Sequence, residues 1–277
     1  MKIIYKPKGR AAEYAPFAVN PYLGKCEGGC KYCYVPRIPD GGNFKGEPRS
    51  KEDYLERLAH DIKRLPDHVP PILFSFTHDP YQPIEEELRL VRQSIRMLHA
   101  AGVPVMILTK FPHLAMRDFD LLTPHDWFGV TLTFNDPEKS KEWEPGADLP
   151  AERIRALREA RRRGIQTWAS LEPVIDLTET RELIRRTHEY VDLYRVGMLN
   201  YHKTPRPVNW PMAGIIIIRT LNFYNANYKF KKDLKELVYK ERASVIEIEY
   251  SSGASEFPEI LDPPLRDPGR FKQEGLR

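Results

Sequence analysis

The chain has 277 residues, 41% of them hydrophobic and 30% charged, with a net charge of +4. That is enough apolar material for one large domain or two small ones. No apolar run approaches the ~20 residues a membrane-spanning helix needs, since Ile215-Ile-Ile-Ile218 is flanked by Arg219; this argues against a membrane protein. The mild basic charge permits a nucleic-acid partner without requiring one.

In chain order, Ala18-Val19 reads as a short strand leading into a loop that holds all three cysteines, Cys26, Cys30 and Cys33. Ser50-Lys-Glu-Asp53 has the spacing of a capping box, and Tyr54, Leu55, Leu58 and Ile62 give the helix after it one apolar face. Residues 71–77 predict a buried strand. Leu88, Val91, Ile95 and Leu98 mark a helix stopped near Gly102. Strands follow at 103–109 and 127–133, a helix at 152–163 ending at Gly164, a strand at 165–171, a helix at 179–190 and a strand at 193–199. Six β–α units in series predict an α/β fold, a parallel sheet with outer helices. In such folds reactive groups gather at the C-terminal ends of the strands.

The cysteine window admits three readings. A disulfide plus a spare thiol fits poorly, because a secreted chain of this size would not crowd its only thiols into one loop. Met1-Lys-Ile-Ile-Tyr-Lys-Pro-Lys also lacks the apolar core of a signal peptide, so a reducing, cytoplasmic location is expected. A zinc site would need a fourth ligand, for which His78 and His113 are candidates. Three sulfurs on one tight turn suit a compact iron–sulfur cluster better, with one iron left open. Gly28 and Gly29 lie in the first gap, where a wrapping loop needs unusual backbone angles and close approach.

The stretch Asn20-Pro-Tyr-Leu-Gly-Lys-Cys26-Glu-Gly-Gly-Cys30-Lys-Tyr32-Cys33-Tyr34 resembles the signature of the radical S-adenosylmethionine (SAM) superfamily, C-x₃-C-x-aromatic-C. Within it the chain is similar to the spore photoproduct lyase-like, DNA-repair-photolyase-related group. The resemblance implies a partial (β/α)₆ barrel over residues 1–203, with the cluster loop at 20–36 and a C-terminal helical extension at 204–277. It implies that Cys26, Cys30 and Cys33 hold three irons of a 4Fe–4S cluster and that SAM chelates the fourth. Reductive cleavage of SAM would then give a 5′-deoxyadenosyl radical that abstracts a hydrogen atom. A flavodoxin or ferredoxin would supply the electron. DNA or a nucleoside is the expected substrate class; a peptide or small molecule, or a non-catalytic electron-transfer module, are the alternatives.

The same resemblance gives the strand ends their roles. Thr77, His78 and Asp79, in Thr77-His-Asp-Pro-Tyr81-Gln-Pro-Ile-Glu85, are candidates for the SAM amino group, and Asp79 as a turn cap is the plainer reading. Lys110 is placed to pair with the SAM carboxylate, with Tyr32 beside the cluster. Thr131 and Thr133 alternate on the fourth strand, so both can face the barrel interior, and Thr131 is expected at the ribose or carboxylate. Glu172 is expected at the ribose or substrate, and His202 at the substrate.

One departure stands out. Spore photoproduct lyases return a hydrogen atom from a cysteine near the end of the second strand, and Phe74-Ser-Phe76-Thr77 has none. Hydrogen return would then fall to Tyr81, Tyr34 or Tyr22. Arg153, Arg155, Arg158, Arg161, Arg162 and Arg163 crowd one helix and read as a solvated outer face rather than a nucleic-acid patch. Residues 228–241, with Lys229, Lys231, Lys232, Lys235 and Lys240 beside Tyr228 and Phe230, are the better candidate for backbone contact.

Overall fold

The computed structural model describes residues 2–37, 44–74, 76–203 and 207–241. Seven parallel strands form one sheet in the order β1 (Ala18–Val19), β4 (Ile72–Phe74), β5 (Val105–Thr109), β6 (Trp127–Thr131), β7 (Gln166–Val174), β8 (Leu193–Met198) and β9 (Tyr228–Phe230). A small antiparallel pair, β2 (Tyr22–Leu23) with β3 (Arg49–Ser50), brackets the cysteine loop. The expected α/β architecture is present, and β9 adds a strand to the six expected by pairing with β8 across Tyr194↔Tyr228 to Val196↔Phe230. Of the extension at 204–277, residues 242–277 lie outside the described residues.

The two-residue period of the strands sorts side chains onto two faces. Ile72, Phe74, Val105, Ile107, Phe128, Val130, Ala169, Leu171, Tyr194 and Val196 point to the outer helices and form the large core. Leu73, Met106, Trp168 and Leu193 alternate with them and form a second core on the concave face. Tyr5, Tyr14 and Ala15 of the N-terminal segment fill that concavity. Trp168 lies across β6, donating from Nε1 to Ile107 O at 2.9 Å. It fits because position 129 is glycine: a Cβ there would come within 2.2 Å of the indole nitrogen.

The outer helices are α1 (Tyr54–Ile62), α2 (Ile84–Leu88), α3 (Leu90–Ala100), α4 (Pro112–Ala115), α5 (Pro137–Trp143), α6 (Pro150–Arg162), α7 (Leu177–Thr187) and α8 (Trp210–Phe223). Asp136, Asp176 and Asn209 cap α5, α7 and α8 through their side chains, each satisfying otherwise unpaired N–H groups. Two local expectations change. Ser50 does not cap α1 but pairs with Tyr22 in β3, and the turn is made by Asp53 at φ 48°. The helix expected around Leu88 is broken at Arg89 (φ 50°) into α2 and α3. The buried Glu85 carboxylate then receives the Val91 N–H at 3.1 Å, so Glu85 is a helix cap. No helix among the described residues is long and apolar enough to cross a membrane.

Candidate active site

The cysteine loop leaves β2 and is clamped from two sides. From the segment after β4, Asp79 N–H points at Cys26 Sγ at 3.5 Å, and Gln82 Oε1 accepts from Glu27 N at 3.0 Å. From the end of α5, Trp143 O accepts from Lys31 N at 2.9 Å, and from the segment after it Gly146 N donates to Gly28 O at 3.2 Å. Gly29 takes a left-handed φ of 58°. Gly28 does not. A Cβ there would stand 3.7 Å from Cys30 Sγ and 3.8 Å from Cys26 Sγ, inside the curve of the loop. The three thiols line a cavity of ≈ 410 Å³ at the C-terminal ends of the parallel strands. Burial pushes Cys26 up to about 11 and Cys30 up to about 12, although Lys110 pulls Cys30 the other way.

Behind the loop lies a buried polar group. Glu144, with 0% of its side chain exposed, pairs with the equally buried Arg153 at 2.6 Å. Glu144 also accepts from Tyr32 Oη and, at 3.1 Å, from Thr133 Oγ1. Burial alone would raise the Glu144 carboxyl; Arg153 and Lys110 outweigh it and hold the group below the usual carboxylate range. Burial lowers the Lys110 ammonium, but Cys30, Glu144 and Asp79 together hold it above the usual lysine value. Lys110 Nζ stands 5.7 Å from the Tyr32 ring centroid.

The opposite wall is assembled from the two ends of the described chain. Glu172 on β7 accepts from Tyr14 Oη and pairs with Arg10 at 3.3 Å and, more loosely, with Lys231 at 3.8 Å. Tyr14 Oη lies 3.0 Å from Ser170 Oγ, and Lys231 Nζ sits 4.0 Å above the Tyr14 ring. Lys231 donates to Arg10 O at 2.5 Å, and Arg10 also pairs with Asp233. Gly197 on β8 lets Glu172 lie flat, because a Cβ there would meet Glu172 Cδ at 2.6 Å.

The sequence profile of the Radical SAM superfamily matches residues 20–191, spanning β2 to α7 and the whole cysteine loop. The chain belongs to the radical SAM superfamily. An uncharacterised protein of Methanocaldococcus jannaschii is 32% identical over 190 residues, covering 67% of this chain and 71% of that protein. A radical SAM Nα-GlyT isomerase of Pseudomonas phage M6 is 28% identical over 172 residues, covering 61% of this chain but only 35% of the phage protein. The fold is similar to that of a spore photoproduct lyase C140S mutant, with a TM-score of 0.65 at 14% identity, covering 82% of this chain and 78% of that one.

Membership makes this an enzyme of the superfamily, one that uses SAM, an iron–sulfur cluster and a reductant. The residues present fit such a group: three thiols line one cavity, and Gly28 puts no side chain against the sulfurs of Cys26 and Cys30. Among the described residues, no three or more His, Cys, Asp or Glu side chains form a site for one metal ion. A cuboidal cluster does not ask for that, because each cysteine ligates a different iron. The zinc alternative loses its fourth ligand. His78 Nε2 is engaged by Gly24 O at 2.6 Å, and His113 pairs with Asp148 at 2.7 Å.

In this radical SAM enzyme the cavity is lined by Tyr32, Tyr34, Thr77, His78, Asp79, Lys110, Thr131 and Glu172, the candidates named from sequence. Their postures differ. Asp79 accepts from Thr109 Oγ1 at 2.6 Å, Lys110 N at 2.7 Å and Tyr81 N at 3.0 Å, so its carboxylate braces the end of β5. His78 is 3% exposed, with Asn20 and Thr77 at its Nδ1. Tyr81 is not brought to the cavity: it is 0% exposed and donates to Asp118 at 3.1 Å, on the helix side of β4. Tyr22 is likewise buried against Glu85. His202 lies outside the lining, edge-on to Trp143.

Arg153, read as one of an outer row, is the buried partner of Glu144. Arg155, Arg161, Arg162 and Arg163 do pair along the surface with Glu152, Asp192 and Glu159. Lys231 is not a surface lysine either; only 4% of its side chain is exposed. Glu144, Tyr14, Arg10 and Lys231 were missed as site residues. The one sequence cue to Lys231 is its place immediately after a strand, as Lys110 directly follows β5.

Proposed function

We propose that this chain holds a 4Fe–4S cluster on Cys26, Cys30 and Cys33 and abstracts a hydrogen atom from a nucleobase or nucleoside. The supporting observation is the placement of all three thiols on one cavity at the C-terminal ends of the parallel strands. When bound, the reduced cluster and SAM supply a 5′-deoxyadenosyl radical. The protein's own part is to bind, orient and keep the site dry. Lys110, kept above the usual lysine value despite its burial by Cys30, Glu144 and Asp79, is the group suited to the SAM carboxylate. Thr131, 2% exposed at the end of β6, is suited to the ribose or carboxylate, and Glu172 to ribose hydroxyls or substrate. Asp79 acts through the β5 backbone and so positions Lys110.

The nucleobase class draws on the likeness to spore photoproduct lyase and to the phage isomerase, and on the +4 charge. With all thiols on the cluster, hydrogen return by a cysteine is replaced by another route, and Tyr34 is the expected tyrosine that lines the cavity. A flavodoxin or ferredoxin in a cytoplasmic, reducing setting fits as electron source. The test is anaerobic reconstitution followed by SAM and dithionite, with 5′-deoxyadenosine as readout. Cleavage is expected; a fully loaded, reduced protein that leaves SAM intact would overturn the reading.

A further inference from the structure

Two tyrosines stand at the cavity mouth with their rings partly in solvent: Tyr34, 37% exposed, at the end of the cysteine loop, and Tyr201, 60% exposed, after β8. Tyr34 is fixed by its hydroxyl, which donates to Phe76 O at 3.1 Å. Tyr201 carries a cost of its own. Its φ of +61° lies in the left-handed region that bulky L-residues rarely adopt. A loop without a task would relieve that strain, and the exposed ring, with glycine or asparagine. The cavity behind them, ≈ 410 Å³, is near the lower end of the roughly 300–1,000 Å³ that one small ligand occupies. Once a cofactor fills it, a substrate group has to be presented at the rim. Lys8, exposed on the N-terminal segment, lines the same cavity and brings a cation to it.

We propose that Tyr201, with Tyr34 beside it, is a stacking platform for one unpaired base of a DNA strand, and that Lys8 takes an adjoining phosphate. This deepens the nucleobase reading above and rests on it. A phenol ring stacks on the π-face of any base, so the platform selects an unpaired base over one held in a duplex.

The test uses reconstituted full-length protein and fluorescence anisotropy with a short single-stranded thymidine oligonucleotide, its abasic counterpart and the matching duplex. Iron content and circular dichroism confirm that each variant is folded and loaded. Tyr201→Ala is expected to weaken single-strand binding by roughly 5- to 150-fold and to leave abasic binding unchanged, while Tyr201→Phe stays close to wild type. Lys8→Ala is expected to weaken single-strand and abasic binding alike. If wild type binds the single strand and Tyr201→Ala binds it equally, the platform is overturned while the nucleobase reading stands. If wild type binds no oligonucleotide, the platform is overturned and the nucleic-acid half of the reading above falls with it, leaving a free nucleoside as the substrate.

Discussion

The two walls of the cavity are built on different physical terms. The wall behind the cysteines is dry: Glu144 and Arg153 have 0% and 1% of their side chains exposed, and their partners Tyr32, Thr131 and Thr133 come from the cysteine loop and the end of β6. The wall around Glu172 is half-wet, with Glu172 at 19% and Arg10 at 33%, and its members are drawn from the N-terminal segment and the end of the sheet. A buried ion pair that loses one member leaves an uncompensated charge, so the first wall is rigid by necessity. Partly exposed pairs rearrange at little cost. A rigid wall suits a cofactor that must be held in one pose, and an adjustable wall suits an incoming substrate.

The sharpest test of this contrast is at the loop itself. Cys30→Ala is expected to abolish iron binding and reductive SAM cleavage, with circular dichroism unchanged; retained iron would contradict the ligand assignment. Next, Glu144→Ala is expected to cost about 3–5 kcal/mol in urea unfolding because it strands Arg153. Glu172→Ala should cost only about 1–2 kcal/mol, and equal losses would erase the distinction between the walls. Gly197→Ala drives a methyl into Glu172 and is expected to cost about 1–3 kcal/mol. Adding Glu172→Ala should return most of that loss in a double-mutant cycle. The smallest effect is expected at Arg155→Ala, within about 0.5 kcal/mol, since its partner Glu152 is a surface i,i+3 neighbour.

The strands and the cysteine loop were legible because each writes a short-range pattern into the sequence: a period of two, or a fixed spacing of thiols. Thr131, Lys110 and Glu172 were legible for the same reason, as strand-end residues whose level in the sheet follows from counting. Arg153 was not. Its place among four other arginines on α6 gives no sign that Glu144, at the end of α5, lands on it. Lys231 was read into a basic surface because Tyr228–Phe230 is only three residues long and its pairing with β8 is set by tertiary contact. Tyr81 and His202 sit in runs that pointed to the cavity, but the chain turns beside each of them. Tyr81 goes under the helices to Asp118 and His202 out to Trp143. Ser50 had the spacing of a helix cap, and pairing with Tyr22 won because it ties down the cysteine loop.

Arg10 reaches both Glu172 and Asp233, so one side chain near the start of the chain is held by another near the end of the sheet. A ribosome delivers this protein N-terminus first. The cysteines therefore emerge, and can meet iron, long before the strand that seals the opposite wall has been made. On the proposed ligation, the cluster site is exposed during synthesis on the side where Arg10, Glu172 and Lys231 later meet.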